Sequence, residues 1–304
     1  MRAIRSCARV TRCAQANGKH AEALALHRKS LAIHVAFAAA GEQASLDIAD
    51  TRCKIGNALK GSANYDTALI EYKEALRIQE AELGVGHAST AECLHDIGVV
   101  LKRKALDDAV TGGEDPRFSL AGSGFNAALD SLQKSLAIKL DSMGQYDSSI
   151  ARTREAIGKL LTKMGDLDGA TTHLQGCLAI QRATIGENHP DTAACYNVIG
   201  EVLEKKGDPE GALGMLRQSL AIREAVFGKD HPRTANTRTN IAISLCSSRK
   251  YDAALAEHRE CLAIRMAKLG PDHPYVAKTT GYIAGTLRLK AEAEAAAHGA
   301  TDAS

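Results

Sequence analysis

Four histidines recur in the same local text, Gly-x-x-His: His87, His189, His231 and His273, the last three spaced 42 residues apart. Imidazole is the commonest metal ligand and titrates near neutrality, so the series first suggests a metal site or a proton relay. Geometry argues against the metal. In a helical array of that period, equivalent residues fall ~10 Å apart, about one helix diameter, whereas two ligands of one zinc ion each lie ~2 Å from it. The plainer role is structural, because His-Pro at 189, 231 and 273 ends one segment and starts the next helix. The cysteines, Cys7, Cys13, Cys53, Cys93, Cys177, Cys195, Cys246 and Cys261, include no Cys-x-x-Cys pair and are expected as reduced, packed thiols. No carboxylate pair, Ser/His/Asp order or Cys/His pairing stands out, so no catalytic residue, metal or cofactor is assigned.

What positions these residues is a repeat. The Leu-Ala-Ile triplet beginning at Leu220 has counterparts in similar text at Leu31, Leu76, Leu136, Leu178 and Leu262, with successive spacings of 45, 60, 42, 42 and 42. A period in this range marks a solenoid, whose units cannot bury their apolar faces alone and stack on one another. Within the unit Tyr196–Ala235, Tyr196, Ile199 and Leu203 make the apolar stripe of a first helix, and Ala212, Leu216 and Ser219 that of a second. Gly207-Asp208-Pro209 separates them: Gly to end a helix, Asp to cap the next, Pro for its first turn. Small residues recur where two backbones must approach: Gly56, Gly98, Gly158, Gly200, Ala242 and Ala284 on first helices, and Ser30, Ala75, Ser135, Cys177, Ser219 and Cys261 on second ones.

These residues resemble the tetratricopeptide repeat, a helix-turn-helix unit. The 42-residue form with the link Gly228-Lys229-Asp230-His231-Pro232, repeated at Gly186–Pro190 and Gly270–Pro274, is similar to the repeat of the kinesin light chain family. The resemblance implies an all-α, right-handed superhelical solenoid of helical hairpins that works as a non-enzymatic binding scaffold. It also implies a concave surface lined by first helices. Mapped onto this chain, that surface holds Arg5 and Arg12; Asp50, Cys53, Asn57 and Lys60; Glu92, His95, Lys102 and Arg103; Arg152, Glu155, Lys159 and Lys163; Asn197, Glu201, Glu204 and Lys205; Asn236 and Thr239; Lys278 and Arg288. Eleven are basic and five acidic, a net +6 on the inner face of a chain whose total is +2. The expected ligand is an acidic peptide. Lys102, Arg103, Arg152, Lys159 and Lys163 should form the densest basic patch, Lys60 and Lys205 are further candidate groove cations, and Asn197, Asn236 and Asn240 should hold the peptide backbone. Two features of kinesin light chains are absent from this sequence: an N-terminal heptad coiled coil, and, apart from Asn240, the Asn two residues before the packing position. A motor or cargo complex is therefore a second expectation beside the general scaffold.

Composition sets outer limits. No long unbroken apolar run could cross a bilayer, so a soluble, cytoplasmic protein is expected, although Arg2, Arg5, Arg9 and Arg12, with no acid before Glu22, also suit an organelle transit peptide. Counted back from Leu31, the same stretch makes a first repeat helix through Cys7, Val10 and Ala14. Near-balanced charge, 4% aromatic residues and no tryptophan argue against nucleic acid. Residues 1–290 are expected to form the array, six repeats plus a terminal helix, with 291–304 as the end of the cap and a frayed tail. The 60-residue spacing places eighteen extra residues within about 104–123, whose Gly112-Gly113, Pro116 and Gly122 make at least its middle a surface loop.

Overall fold

The computed structural model describes residues 20–41, 43–111 and 123–301. The helix expected around Cys7 to Ala14, the groove candidates Arg5 and Arg12, and the centre of the insertion lie outside them. Among the described residues there are twelve α-helices and no strand: α1 (His20–Ala39), α2 (Ser45–Gly61), α3 (Tyr65–Leu83), α4 (Ala88–Thr111), α5 (Ser123–Ser142), α6 (Ser148–Met164), α7 (Leu167–Thr184), α8 (Pro190–Lys205), α9 (Pro209–Phe227), α10 (Pro232–Ser247), α11 (Tyr251–Leu269) and α12 (Pro274–Thr301). The chain divides into two compact units after Gly165. Within each unit every helix packs on its sequence neighbours, as stacked hairpins require.

Many helix boundaries follow from local chemistry. Gly207 takes φ 81°, Asp208 accepts the Gly211 N–H on its side chain at 2.9 Å, and Pro209 stands in the first turn of α9. Gly165 and Asp166 repeat the arrangement before α7. The same left-handed position is filled by Ala63 (φ 58°) and Arg249 (φ 57°), side chains that L-residues rarely place there. At the other end of each unit, Nδ1 of His87, His189, His231 and His273 accepts the backbone N–H two residues on, at 3.1 to 3.2 Å. The histidine series therefore caps helix N-termini, satisfying donors that a helix leaves open. Thr90, Thr192 and Thr234 tie the same link by donating to the carbonyls of Gly84, Gly186 and Gly228 at 2.8 to 3.1 Å.

The small residues act as expected. A Cβ on Gly98 would lie 2.6 Å from Leu132 Cγ, and one on Gly200 would lie 2.6 Å from Leu216 Cγ. Ser135 and Ser219, on second helices, donate to the carbonyls of Ala91 and Ala193 at 2.6 and 2.7 Å, which draws each hairpin together. In the first unit the core joins Ile55, Leu59, Tyr72, Ile97 and Val100; in the second, Leu213, Leu216, Ile241 and Leu245. Two boundaries differ from the expectation. Helix α4 continues to Thr111, so the first turns of the insertion are helical, with Ala109 buried and Ala105 close against Gly124 of α5. Helix α12 continues through Gly299 to Thr301.

Candidate functional site

One polar column was not read from the sequence, although lining up residues at the repeat spacing would have revealed it. Three positions after each Leu-Ala-Ile equivalent stand His34, Gln79, Lys139, Gln181, Arg223 and Arg265, all at most 8% exposed. Where the next first helix carries threonine, the side chain reaches it: His34 Nδ1 to Thr51 Oγ1 at 3.1 Å, Lys139 Nζ to Thr153 at 3.0 Å, Arg223 Nη1 to Thr237 at 2.6 Å and Arg265 Nη1 to Thr279 at 2.5 Å. Where that partner position is Cys93 or Cys195, the column holds glutamine, and its buried Oε1 finds no hydrogen-bond partner among the described residues. The thiols turn instead to the carbonyls of Tyr72 and Leu174. Charge is thus carried into the interior between successive hairpins, where it needs either a counter-charge or several acceptors.

In the second unit two of these cations open onto a cleft of about 290 Å³ lined from α8, α9, α10, α11 and α12. Arg223, Arg265 and Lys278 bring positive charge to its wall, and Glu201 brings one negative charge. Asn197, Asn236 and Asn240, placed on this surface by the sequence, do line it. Their amides are already engaged. Nδ2 of Asn197 and of Asn240 both donate to Glu201 Oε1, at 2.7 and 2.8 Å, and Asn236 Oδ1 accepts from Arg265 Nη2 at 2.9 Å. Asn197 is 7% exposed and Thr239 6%, so these two first-helix positions, expected on an open face, are covered by their neighbours. Burial, and then Arg233, lower the pKa of Arg223, while Glu201 opposes the shift. Arg265 lies over the Tyr275 ring at 5.4 Å and Lys278 over Tyr282 at 5.7 Å, both favourable cation–π placements.

In the first unit the expected basic patch separates into two groups. Lys102, on α4, has its pKa lowered by burial and by the nearby charges of Lys159, Arg103 and Lys163, with Glu155 opposing. Lys159 is paired with Glu155 at 2.5 Å; Lys102, Arg103 and Lys163 have no carboxylate within ion-pair distance among the described residues. Arg152 belongs elsewhere. It pairs with Glu92, which also holds Lys139 at 2.8 Å, and both cations lie near His95. His95, buried with Nδ1 3.1 Å from Thr153 Oγ1, has its pKa pushed down to about 3 by burial first and then by Lys139, Arg152, Lys60 and Lys102. Lys60 is held by Asp96 at 2.9 Å, and Lys205 of the second unit is exposed. Among the described residues no three His, Cys, Asp or Glu side chains gather as a metal site, and no helix is long and apolar enough to cross a membrane.

Models of the tetratricopeptide repeat match residues 149–225, 199–267 and 233–300, and a second such model matches 48–89. No curated protein matches the chain in sequence. Among solved structures, BtubC (BKLC) from P. vanneervenii is similar over 84% of this chain and 94% of its own, with 16% identity and a TM-score of 0.67. The nearly identical repeats of a Podosopora anserina protein of kinesin light chain type are similar over 74% of this chain and 98% of theirs, with 15% identity and a TM-score of 0.60. The apo form of RapI matches over 93% of this chain and 72% of its own, with 15% identity and a TM-score of 0.57. At these identities the likeness is one of fold.

Proposed function

Because this chain belongs to the tetratricopeptide repeat family, whose members are typically protein-interaction scaffolds and generally not enzymes, we propose that it binds an acidic segment of a protein partner on its inner helix faces. What supports this reading is a set of cations, at positions the repeat register assigns to the inner face, with no carboxylate partner among the described residues: Lys102, Arg103 and Lys163 around Lys159. Like charges gathered on one surface destabilise the free protein slightly and are relieved by an anionic ligand.

Affinity isolation with mass spectrometry supplies candidates, and a purified candidate is then titrated against wild type and an Arg103→Glu, Lys163→Glu variant. Binding should weaken about tenfold or more in the variant, and should weaken in wild type as salt rises to physiological strength, where screening shortens to ~8 Å. A partner that binds both proteins equally, at all salt concentrations, would rule the basic face out. A cargo adaptor of kinesin light chain type is the second reading, supported by the 42-residue unit and its Gly-x-x-His-Pro link. A motor subunit that co-purifies with the chain would favour it.

A further inference from the structure

Cys53 of α2 and Cys93 of α4 stand where one first helix meets the next, three residues before the packing Gly56 and five before Gly98. One repeat on, the same two places hold His95 and Thr153, whose Nδ1 and Oγ1 lie 3.1 Å apart, so the register itself brings these two side chains into contact. The cysteines follow it. Cys53 packs, partly buried, against the core cluster that contains Cys93, and the two free thiols share a hydrogen bond. Cys93 is 2% exposed and also donates to the Tyr72 carbonyl at 3.2 Å. Cys195 fills the same column as Cys93, but the corresponding residue of the repeat before it is Glu155, which offers no second sulfur.

We propose that this pair is a modification site, a reversible disulfide between Cys53 and Cys93 that is formed by a peroxide, opened by a dithiol, and fastens α2 to α4. The two thiols take different parts. Cys53 is reached from solvent, whereas the hydrogen bond with Cys53, and then burial, hold the Cys93 thiol far above the ordinary thiol range. The thiolate is the nucleophile in this chemistry, so oxidation starts at Cys53. Its sulfur, having lost its proton to water, attacks one oxygen of hydrogen peroxide; the O–O bond breaks, Cys53 becomes a sulfenic acid, and the departing hydroxide takes up the released proton as water. The Cys93 sulfur then attacks the Cys53 sulfur, the S–O bond breaks, and water leaves with the Cys93 proton. Across both steps two thiols lose two electrons and two protons, and one peroxide is reduced to two waters. The sulfurs, already in contact, close to about 2.05 Å. A dithiol reverses the bond by exchange, becoming a disulfide itself as both cysteines regain their protons. Because Cys53 and Cys93 are 40 residues apart, the closed bond restricts the unfolded chain and stabilises the first unit.

The test uses the full chain, reduced, exposed to hydrogen peroxide, quenched with catalase and alkylated with iodoacetamide before digestion without reductant. Mass spectrometry should find the Cys53 and Cys93 peptides joined and lighter by two hydrogens than the separate thiol peptides, and dithiothreitol should return both as thiols. Cys195, as buried as Cys93 but without a neighbouring sulfur at its register partner, should remain a thiol after the same exposure. Cys53→Ser should leave Cys93 a thiol, and Cys93→Ser should stop the reaction at a Cys53 sulfenic acid that dimedone traps. Oxidation should raise the urea midpoint of wild type by about 1 M, a rise absent from Cys53→Ser. Cys53 driven to sulfinic or sulfonic acid while Cys93 remains a thiol would overturn the proposal. So would a Cys53 link to any other cysteine, or survival of both thiols under peroxide that oxidises glutathione completely. An unchanged urea midpoint after the Cys53 to Cys93 link has been mapped would overturn the fastening of α2 to α4.

Discussion

Lys139 of α5 is fully buried with its Nζ 3.0 Å from the Thr153 hydroxyl of α6, and Glu92 of α4 supplies its counter-charge at 2.8 Å. Three helices meet on one ammonium. Because removing one member of a buried pair strands the other, Glu92→Gln should destabilise the first unit by about 1 to 3 kcal/mol, less than a sealed pair because Glu92 is partly exposed. Adding Lys139→Met, which replaces the charge with an apolar side chain of similar length, should restore most of the loss. Chemical denaturation of the two single variants and the double variant checks this through their coupling.

Gly200 should not tolerate a side chain, whereas Gly214 should welcome one. A Cβ at 200 would meet Leu216 at 2.6 Å, while at 214 it would meet nothing within 4 Å. Gly200→Leu is expected to cost about 1 to 3 kcal/mol through overpacking. Gly214→Ala, in the middle of α9, should stabilise by up to about 1 kcal/mol through helix propensity. Hydrogen exchange should show the Gly200→Leu damage across α8 to α11 together, since stacked units share their interfaces.

Acid should unfold the first unit partly through His95. Its folded pKa, about 3, lies below the ordinary value of 6.5, so between these pH values the unfolded chain holds more protons than the folded one. Stability from this group is therefore complete above about pH 6.5 and declines as pH falls toward 3, by up to about 1.4 kcal/mol per pH unit. His95→Asn, which can keep a hydrogen bond to Thr153, should flatten the slope of unfolding free energy against pH in that window. An unchanged slope in urea titrations would contradict the neutral, buried state of the ring.

The extension of α4 predicts a boundary for tolerated deletion. Removing 113–120 should leave the helical signal and melting temperature close to wild type, because antiparallel helices can be joined by a few residues. A deletion that starts at Leu106 also removes buried Ala109, and should lower the melting temperature by several degrees. Circular dichroism on both variants distinguishes them.

Much of the architecture was legible in the residues themselves. The turn Gly207-Asp208-Pro209, the link ending in His231-Pro232 and the packing glycines are local or strictly periodic signals, and the helices begin and end where they place them. The exception, α4 running on past Lys104, is not explained by Ala105 alone, since Ala63 takes the left-handed turn at the same register position. What differs is the surrounding text: Arg103-Lys104-Ala105-Leu106 are good helix formers, where Gly61-Ser62-Ala63-Asn64 end α2.

The charge pattern was legible only as positions. Register places Arg152, Lys60 and Lys102 on first helices alike, but whether each is free depends on side chains brought near by packing: Glu92, 60 residues before Arg152, and Asp96, 36 after Lys60. Arg223 and Arg265 show the converse, since their place on second helices hides from the sequence that a long side chain crosses between hairpins to line a cleft with first-helix residues. Period alone determined the helices and their stacking, because those rest on neighbours in sequence and on backbone approach. Which cations keep an unmatched charge was decided by tertiary structure, because an ion pair forms over a few ångströms between rotamers that no spacing specifies.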